Sequence, residues 1–191
     1  MKRISVKRGS LSVAATLLSA SAVAQTLEQP QAVGLGAWDQ QPVLTIGETV
    51  NGYTAPGIPD GMGAFDRGAN VEIISNHELR AADGYPYMLG NGTMLTGARI
   101  SSLSINKESR QLTDIGLAFD TIVNRAGEIV DEAGDLDFGA LNRLCSAGYV
   151  AAGEGGFVDD AFITGEETSD GGSGFILDVA DDTLYAIPWL G

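Results

Sequence analysis

Residues 174–187 have the sequence GFILDVADDTLYAI, which indicates the fold class most clearly. Two apolar segments, Gly174 to Val179 and Thr183 to Ile187, flank the acidic turn Ala180-Asp181-Asp182. Short apolar segments on either side of a polar turn are typical of a β-hairpin. We therefore predict a pair of antiparallel strands at this point of the chain.

The same pattern continues upstream, where short apolar segments alternate with glycine and polar residues. No stretch sustains a helical period, and we expect at most one short helix, near residues 138–148. Many short strands separated by turns predict an all-β fold of antiparallel strands, as in a sandwich, barrel or propeller. Besides the hairpin, we interpret Val71 to Ser75 and Ala98 to Ile105 as strands. Leu112 to Val123 forms a third apolar region, and the apolar residues Ala161 to Thr164 lead into Gly165.

The chain begins with the layout of a secretory signal peptide. Four basic residues without an acid precede an apolar run from Leu11 to Val23, and Ala22-Val23-Ala24 has the small-residue pattern of a cleavage site. The run is too short for a membrane anchor. We predict a signal peptide at residues 1–24, an irregular N-terminal lead at residues 25–42, and a periplasmic or secreted bacterial protein.

The composition is acidic, with 25 Asp and Glu against 11 Lys and Arg and a formal net charge of −14 at pH 7. Such a surface repels phosphate backbones, so we do not expect nucleic acid as a partner. Carboxylate-rich exported proteins often bind calcium, which prefers oxygen ligands. Only one cysteine is present, Cys145, so an intramolecular disulfide is impossible. Stability must then come from the core or from bound metal. We expect the protein to be a monomer.

Two segments combine turn-forming glycines or a strand end with groups that bind metals or anions. Residues 56–65, PGIPDGMGAF, would present the Asp60 carboxylate from a tight turn. Directly after the predicted strand at residues 71–75, Asn76, His77 and Glu78 offer an amide, the only imidazole of the chain and a carboxylate. Each segment taken alone also fits an ordinary surface turn.

A third segment places two carboxylates at the end of a predicted strand. Residues 162–168, FITGEET, end with Glu166 and Glu167, which can both turn toward one cation if the strand stops there. Because functional groups often collect in the loops at strand ends, we expect Glu166 and His77 to lie close together and to share a cation cluster.

Six motifs follow one another over residues 43–191: PDGMG, NHEL, GARIS, NRLCS, FITGEE and DVAxxTLYAIP. In this order they resemble the N-terminal part of the PhoX-type bacterial alkaline phosphatases. The resemblance implies an exported phosphomonoesterase with a β-propeller fold, a small-molecule phosphoester substrate, and bound calcium and iron. Bound cations would also explain how so acidic a protein handles phosphate.

By the same resemblance, carboxylates hold the metals, and Asn76 and His77 are expected to be catalytic or phosphate-contacting groups. The expected metal ligands are Glu166, Glu167, Glu78 and Asp60. The chain has Gly165 where many members of the family have a cysteine, and whether Cys145 substitutes is left open.

The length of 191 residues is too short for a complete propeller of this kind, because each blade takes roughly 40–50 residues. We therefore expect a partial β-propeller, the front of a longer protein, whose C-terminal strand forms an open sheet edge. Two alternatives to a phosphatase stay open. One is another calcium-dependent propeller hydrolase, phytase-like or lactonase-like, and the other is a non-catalytic secreted calcium-binding module.

Overall fold

The computed structural model describes residues 27–188, and the predicted signal peptide lies outside them. The described part consists of short strands and one 3-10 turn, Ala133–Asp135, joined by loops. Residues 27–42 contain neither helix nor strand. No helix among these residues is long and apolar enough to cross a membrane. The strands are β1 Thr49–Val50, β2 Tyr53–Thr54, β3 Pro59–Arg67, β4 Asn70–His77, β5 Tyr87–Met88, β6 Met94–Leu95, β7 Arg99–Asn106, β8 Leu112–Leu117, β9 Thr121–Val123, β10 Leu144–Val150, β11 Ala161–Glu166, β12 Gly174–Asp178 and β13 Thr183–Ile187.

Two main sheets and two small hairpins organise these strands. The four-stranded sheet has the order β3-β4-β7-β8, and the five-stranded sheet has the order β10-β11-β12-β13-β9. Strands β1 and β2 form one hairpin and β5 and β6 the other. Every pair is antiparallel except β13 with β9, which is parallel. The all-β class of short antiparallel strands is thus confirmed, and none of the sheets closes into a barrel, as expected of an incomplete propeller.

The hairpin predicted over residues 174–187 is confirmed as β12 and β13. Its turn is held by the Asp178 carboxylate, which accepts hydrogen bonds from the backbone N–H groups of Ala180 at 2.9 Å and Asp181 at 3.3 Å. Asp182 ends the turn in the left-handed region, at φ +50°, which aspartate tolerates better than most residues. Local turn chemistry therefore explains this hairpin.

We expected at most one short helix near residues 138–148, and no helix forms there. Leu144–Val150 instead forms strand β10, which pairs antiparallel with β11. Arg143, directly before the strand, has φ +49°, a conformation incompatible with a continuing right-handed helix. Pairing with β11 satisfies the backbone of this segment, so tertiary context overrides a weak local helical tendency.

The apolar region from Leu112 to Val123 contains two strands, because the chain leaves β8 and enters β9 in the other sheet. Phe119, between them, is buried in the core that both sheets share.

The sheet order corrects one further expectation. The C-terminal strand β13 is not an open edge, because β12 and β9 flank it on its two sides. The sheet edge next to β13 is the three-residue strand β9.

The two main sheets approach each other where β3 crosses β10. A Cβ atom on Gly61 would lie 2.6 Å from the carbonyl oxygen of Cys145, and one on Gly63 would lie 2.5 Å from Cβ of Tyr149. Real Cβ atoms do not come so close, so only glycine permits this crossing. Next to it, the rings of Phe65 and Tyr149 stack with centroids 4.7 Å apart. The crossing carries the site described next.

Candidate metal centre

The Asp60 side chain enters the site from a β-bulge. Strand β3 shifts its register against β4 between Pro59 and Met62, so Asp60 and Gly61 have no direct partners in the ladder. A bulge re-aims the side chains of a strand, and bulges are common next to active sites. Asp60 is therefore presented from a distorted strand rather than from the tight turn that its sequence suggests.

Three possible ligand groups converge at the crossing. One oxygen of Asp60, one oxygen of Glu78 and the sulfur of Cys145 all lie within 4.8 Å of one another. Asp60 is exposed, while Glu78 and Cys145 are half-buried. Asp60 comes from β3, Glu78 follows β4 and Cys145 lies in β10, so the group depends on elements far apart in the sequence.

The charges of this group are only partly compensated. The Asp60 carboxylate, next to the Cys145 thiol, raises the pKa of that thiol. The pKa of Glu78 is lowered, chiefly because Arg143 donates hydrogen bonds to its carboxylate. Glu78 therefore stays ionised, and Cys145 stays a thiol unless a cation displaces its proton.

Arg143 joins the ends of two strands and adds a cation at the edge of the group. Its Nη2 donates to Glu78 Oε1 at 2.7 Å and to Glu167 Oε2 at 2.5 Å. Its backbone N–H donates to the Leu79 carbonyl at 2.7 Å, and its carbonyl accepts from Glu167 N–H at 2.9 Å. A guanidinium held by carboxylates on two sides is oriented before any anion arrives.

Asn76 lies inside strand β4 and is completely buried. Its Nδ2 donates to the Cys145 carbonyl oxygen and to Thr164 Oγ1, both at 2.6 Å. Its Oδ1 has no hydrogen-bond partner. The amide thus ties β4 to β10 and β11 from within the core, and it fixes the backbone that carries the Cys145 sulfur.

His77, the only histidine of the chain, is also buried and has a partner at each ring nitrogen. Because the Gly57 carbonyl can only accept, Nδ1–H donates to it at 3.0 Å, and Nε2 then accepts from Ser101 Oγ at 2.8 Å. Ser101 in turn accepts from the Tyr53 hydroxyl at 2.7 Å. Burial lowers the pKa of His77 to about 4, so the ring is neutral near pH 7 and anchors the loop that leads into Asp60.

Glu166 holds two backbone segments rather than facing the converging group. Its Oε1 accepts from the Asn142 N–H at 2.9 Å, and its Oε2 accepts from the Ser173 N–H at 3.0 Å. Burial raises the pKa of this carboxyl, and the two backbone donors oppose the rise. Glu166 therefore positions the residue directly before Arg143.

The predicted site residues fall into two sets. The ends of β4 and β11 do meet, because Asn76 contacts Thr164 and because Glu78 and Glu167 share Arg143. Among residues 27–188, however, the convergent ligand atoms belong to Asp60, Glu78 and Cys145 and not to Glu166 or Glu167. That all of these residues serve one cation cluster stays a prediction.

Sequence reasoning did not assign a role to Arg143 and left that of Cys145 open. Both residues lie in the segment Asn142-Arg143-Leu144-Cys145, which is part of the NRLCS motif. A basic residue close to the single cysteine of a strongly acidic chain was a usable indication that both residues belong to a functional site. Comparisons of the chain with protein-family models, with curated proteins and with solved structures found no match.

Proposed function

We propose that this chain carries the metal centre of an exported, metal-dependent phosphomonoesterase. The observation that supports the proposal most is the convergence of Asp60, Glu78 and Cys145, whose ligand atoms lie within 4.8 Å of one another beside the guanidinium of Arg143. Two carboxylates and a thiol can hold a cation, and the adjacent guanidinium can hold an anion on that cation.

The donor set favours iron over calcium at this group. Calcium takes oxygen ligands, whereas thiolate ligands suit softer transition metals. A calcium-binding module without catalytic function would need no thiol here and no arginine facing the site, so we favour the phosphatase. Calcium remains a proposed second ion, for which the described residues offer no comparable group of three ligands.

Each residue at the candidate metal centre has a proposed task. Asp60, Glu78 and Cys145 would hold the metal, which supplies Lewis-acid polarisation of a phosphoryl oxygen when bound. Arg143 would bind a second phosphoryl oxygen, because its planar guanidinium matches phosphate geometry. Asn76 and His77, which we expected to be catalytic, would act as positioning residues, the first for Cys145 and the second for the loop before Asp60.

Cobalt binding tests the metal centre directly. We expect Co²⁺ added to the reduced, chelator-treated protein to produce a thiolate-to-metal charge-transfer absorption band. Cys145→Ser should abolish the band, and Glu78→Gln should weaken binding at least tenfold. Glu108→Gln, an exposed acid on the β7–β8 turn, is the matched control and should change nothing. A band of full strength in Cys145→Ser would refute the proposed centre.

Hydrolysis tests the proposed reaction. The native protein that carries this sequence should hydrolyse 4-nitrophenyl phosphate at alkaline pH, lose that activity to a chelator and regain it with added metal. Glu78→Gln should lower turnover more than tenfold, which corresponds to a barrier increase above about 1.4 kcal/mol. Cleavage of carboxyl esters or lactones without cleavage of any phosphoester would instead support the alternative hydrolase.

A further inference from the structure

A second candidate site lies on the four-stranded sheet, and none of the residues that line it is a proposed ligand of the metal centre. A cavity of about 410 Å³ opens between the β1–β2 hairpin, the β5–β6 hairpin and strand β7. Its size falls in the range of small-molecule pockets. The side chains that characterise it are three tyrosines, two methionines and one arginine: Tyr53, Tyr85, Tyr87, Met88, Met94 and Arg99.

Arg99 is a buried cation without an acidic partner. It is 1% exposed, and none of the ion pairs among residues 27–188 includes it. Its Nη2 donates to the carbonyl oxygens of Tyr85 and, at 3.3 Å, Gly97, while Nε has no hydrogen-bond partner. Buried charges are almost always paired, so one positive charge beside a cavity lacks its counterion.

The surroundings of Arg99 do not neutralise this charge. The guanidinium carbon lies 4.4 Å from the centroid of the Tyr87 ring, a cation–π contact that leaves the charge in place. Burial raises the pKa values of Tyr53 and Tyr87, so neither phenol ionises near neutral pH. The guanidinium itself stays protonated at any ordinary pH.

The mouth of the cavity is apolar and exposed. Tyr85, Met88 and Met94 are 44%, 63% and 55% exposed, although such side chains are normally buried. Aromatic rings and thioethers make favourable contacts with planar apolar groups. The cavity therefore combines an aromatic and thioether-lined entrance with a single cation at its inner wall.

We propose that this cavity binds a small organic monoanion, a carboxylate attached to a planar apolar body. The carboxylate would supply the missing counterion of Arg99. A single negative charge balances the single buried positive charge, whereas a phosphate dianion would leave an excess. The planar body would lie against Tyr85 and the two methionines. This inference is independent of the proposed phosphatase function.

Three probes separate the contribution of the negative charge to binding from that of the aromatic ring: benzoate, its neutral counterpart benzamide, and acetate. With the chelator-treated protein in calorimetric titrations, we expect benzoate to bind at least tenfold more tightly than benzamide or acetate. Benzoate should also raise the melting temperature, because it binds only the folded state. Failure of benzoate to bind at millimolar concentration, or equal binding of benzamide, would overturn the proposal.

Two variants locate the binding. Met88→Glu adds a negative charge at the exposed mouth and should weaken benzoate binding at least tenfold, whereas Val158→Glu, at an 85% exposed position outside the cavity, should not. Arg99→Met should abolish the preference for benzoate over benzamide. Because Arg99 is buried, that variant can fail to fold, and the Met88 and Val158 pair then decides. Equal benzoate affinity in these two variants would place the binding elsewhere and overturn the proposal.

Discussion

The Asn76 side-chain amide donates a 2.6 Å hydrogen bond to the carbonyl oxygen of Cys145, from a strand of one main sheet to a strand of the other. A buried amide that joins two sheets fixes their relative position, because its donor would lose a partner if either strand moved. The Cys145 sulfur is carried by that same backbone. The geometry of the candidate metal centre thus depends on a residue that contributes no ligand to it.

Removing this amide tests the connection. Asn76→Ala should lower the free energy of unfolding by about 1–3 kcal/mol, because the Cys145 carbonyl is left buried without its donor. Thr164→Val removes only the second acceptor of Asn76 and serves as the comparison. Urea titrations measure stability, and Co²⁺ titrations should show weaker binding in Asn76→Ala than in Thr164→Val. Identical cobalt affinities would contradict the positioning role.

The close crossing of β3 and β10 predicts a strict need for glycine at position 61. Gly61→Ala would drive Cβ into the backbone of β10 and should cost up to about 3 kcal/mol of stability, as overpacking does. Gly148→Ala is the control, since no atom lies within 4 Å of its added Cβ, and it should be neutral or slightly stabilising. Chemical denaturation of both variants measures the difference, and equal stabilities would be inconsistent with the crossing.

Arg143 should matter for anion binding more than for folding. Its ion pairs with Glu78 and Glu167 are solvent-exposed in part, and such pairs contribute little to stability. Arg143→Gln should therefore leave the melting temperature nearly unchanged while it raises KM for 4-nitrophenyl phosphate in the native protein at least tenfold. Arg110→Gln is the matched control and should leave KM unchanged, because Arg110 is exposed and, like Arg143, has positive φ. An unchanged KM in Arg143→Gln would remove Arg143 from the site.

Glu166 is expected to act through the backbone that it holds. Glu166→Gln keeps the shape of the side chain but replaces one accepting oxygen with an NH₂ group, which only donates. The side chain then loses the hydrogen bond from either Asn142 N–H or Ser173 N–H. Turnover in the native protein should fall more than tenfold, while the stoichiometry of cobalt bound to the chain stays the same. Loss of one bound metal equivalent would show instead that Glu166 is a ligand.

The buried imidazole makes stability depend on pH. The pKa of His77 is about 4 in the folded chain against 6.5 for a free histidine, so between these values only the unfolded chain binds the proton. The contribution of the neutral imidazole to the free energy of unfolding is fully present above pH 6.5. It is lost progressively, by up to about 3 kcal/mol, as the pH falls toward 4.

His77→Gln isolates this effect. Urea unfolding of the chelated protein at pH 6.5 and near pH 4 should show a smaller loss of stability in His77→Gln than in the unmodified chain. Carboxylates titrate in the same range in both proteins, so only the difference between their slopes reports on the imidazole. Equal slopes would mean that His77 is not kept neutral by the fold.

The fold class could be predicted from the sequence because its signals are local. Alternating apolar residues and acidic or glycine-rich turns predict the β12–β13 hairpin and strands β4 and β7, and all three are found. Strand β10, at residues 144–150, could not be predicted from the sequence for a physical reason. A segment without strong periodicity takes the conformation that its partner strand allows, and that partner, β11, lies more than ten residues further along the chain.

The amino-acid sequence defines which chemical groups are available: carboxylates at strand ends, one histidine, one cysteine and few basic residues. Which of these groups converge depends on the packing of the two main sheets. Asp60, Glu78 and Cys145 meet because two glycines let β3 cross β10 within van der Waals distance, while His77 and Glu166 turn to backbone partners. Turn and strand preferences act between neighbouring residues, whereas the approach of two sheets depends on the packing of side chains and backbones far apart in the sequence.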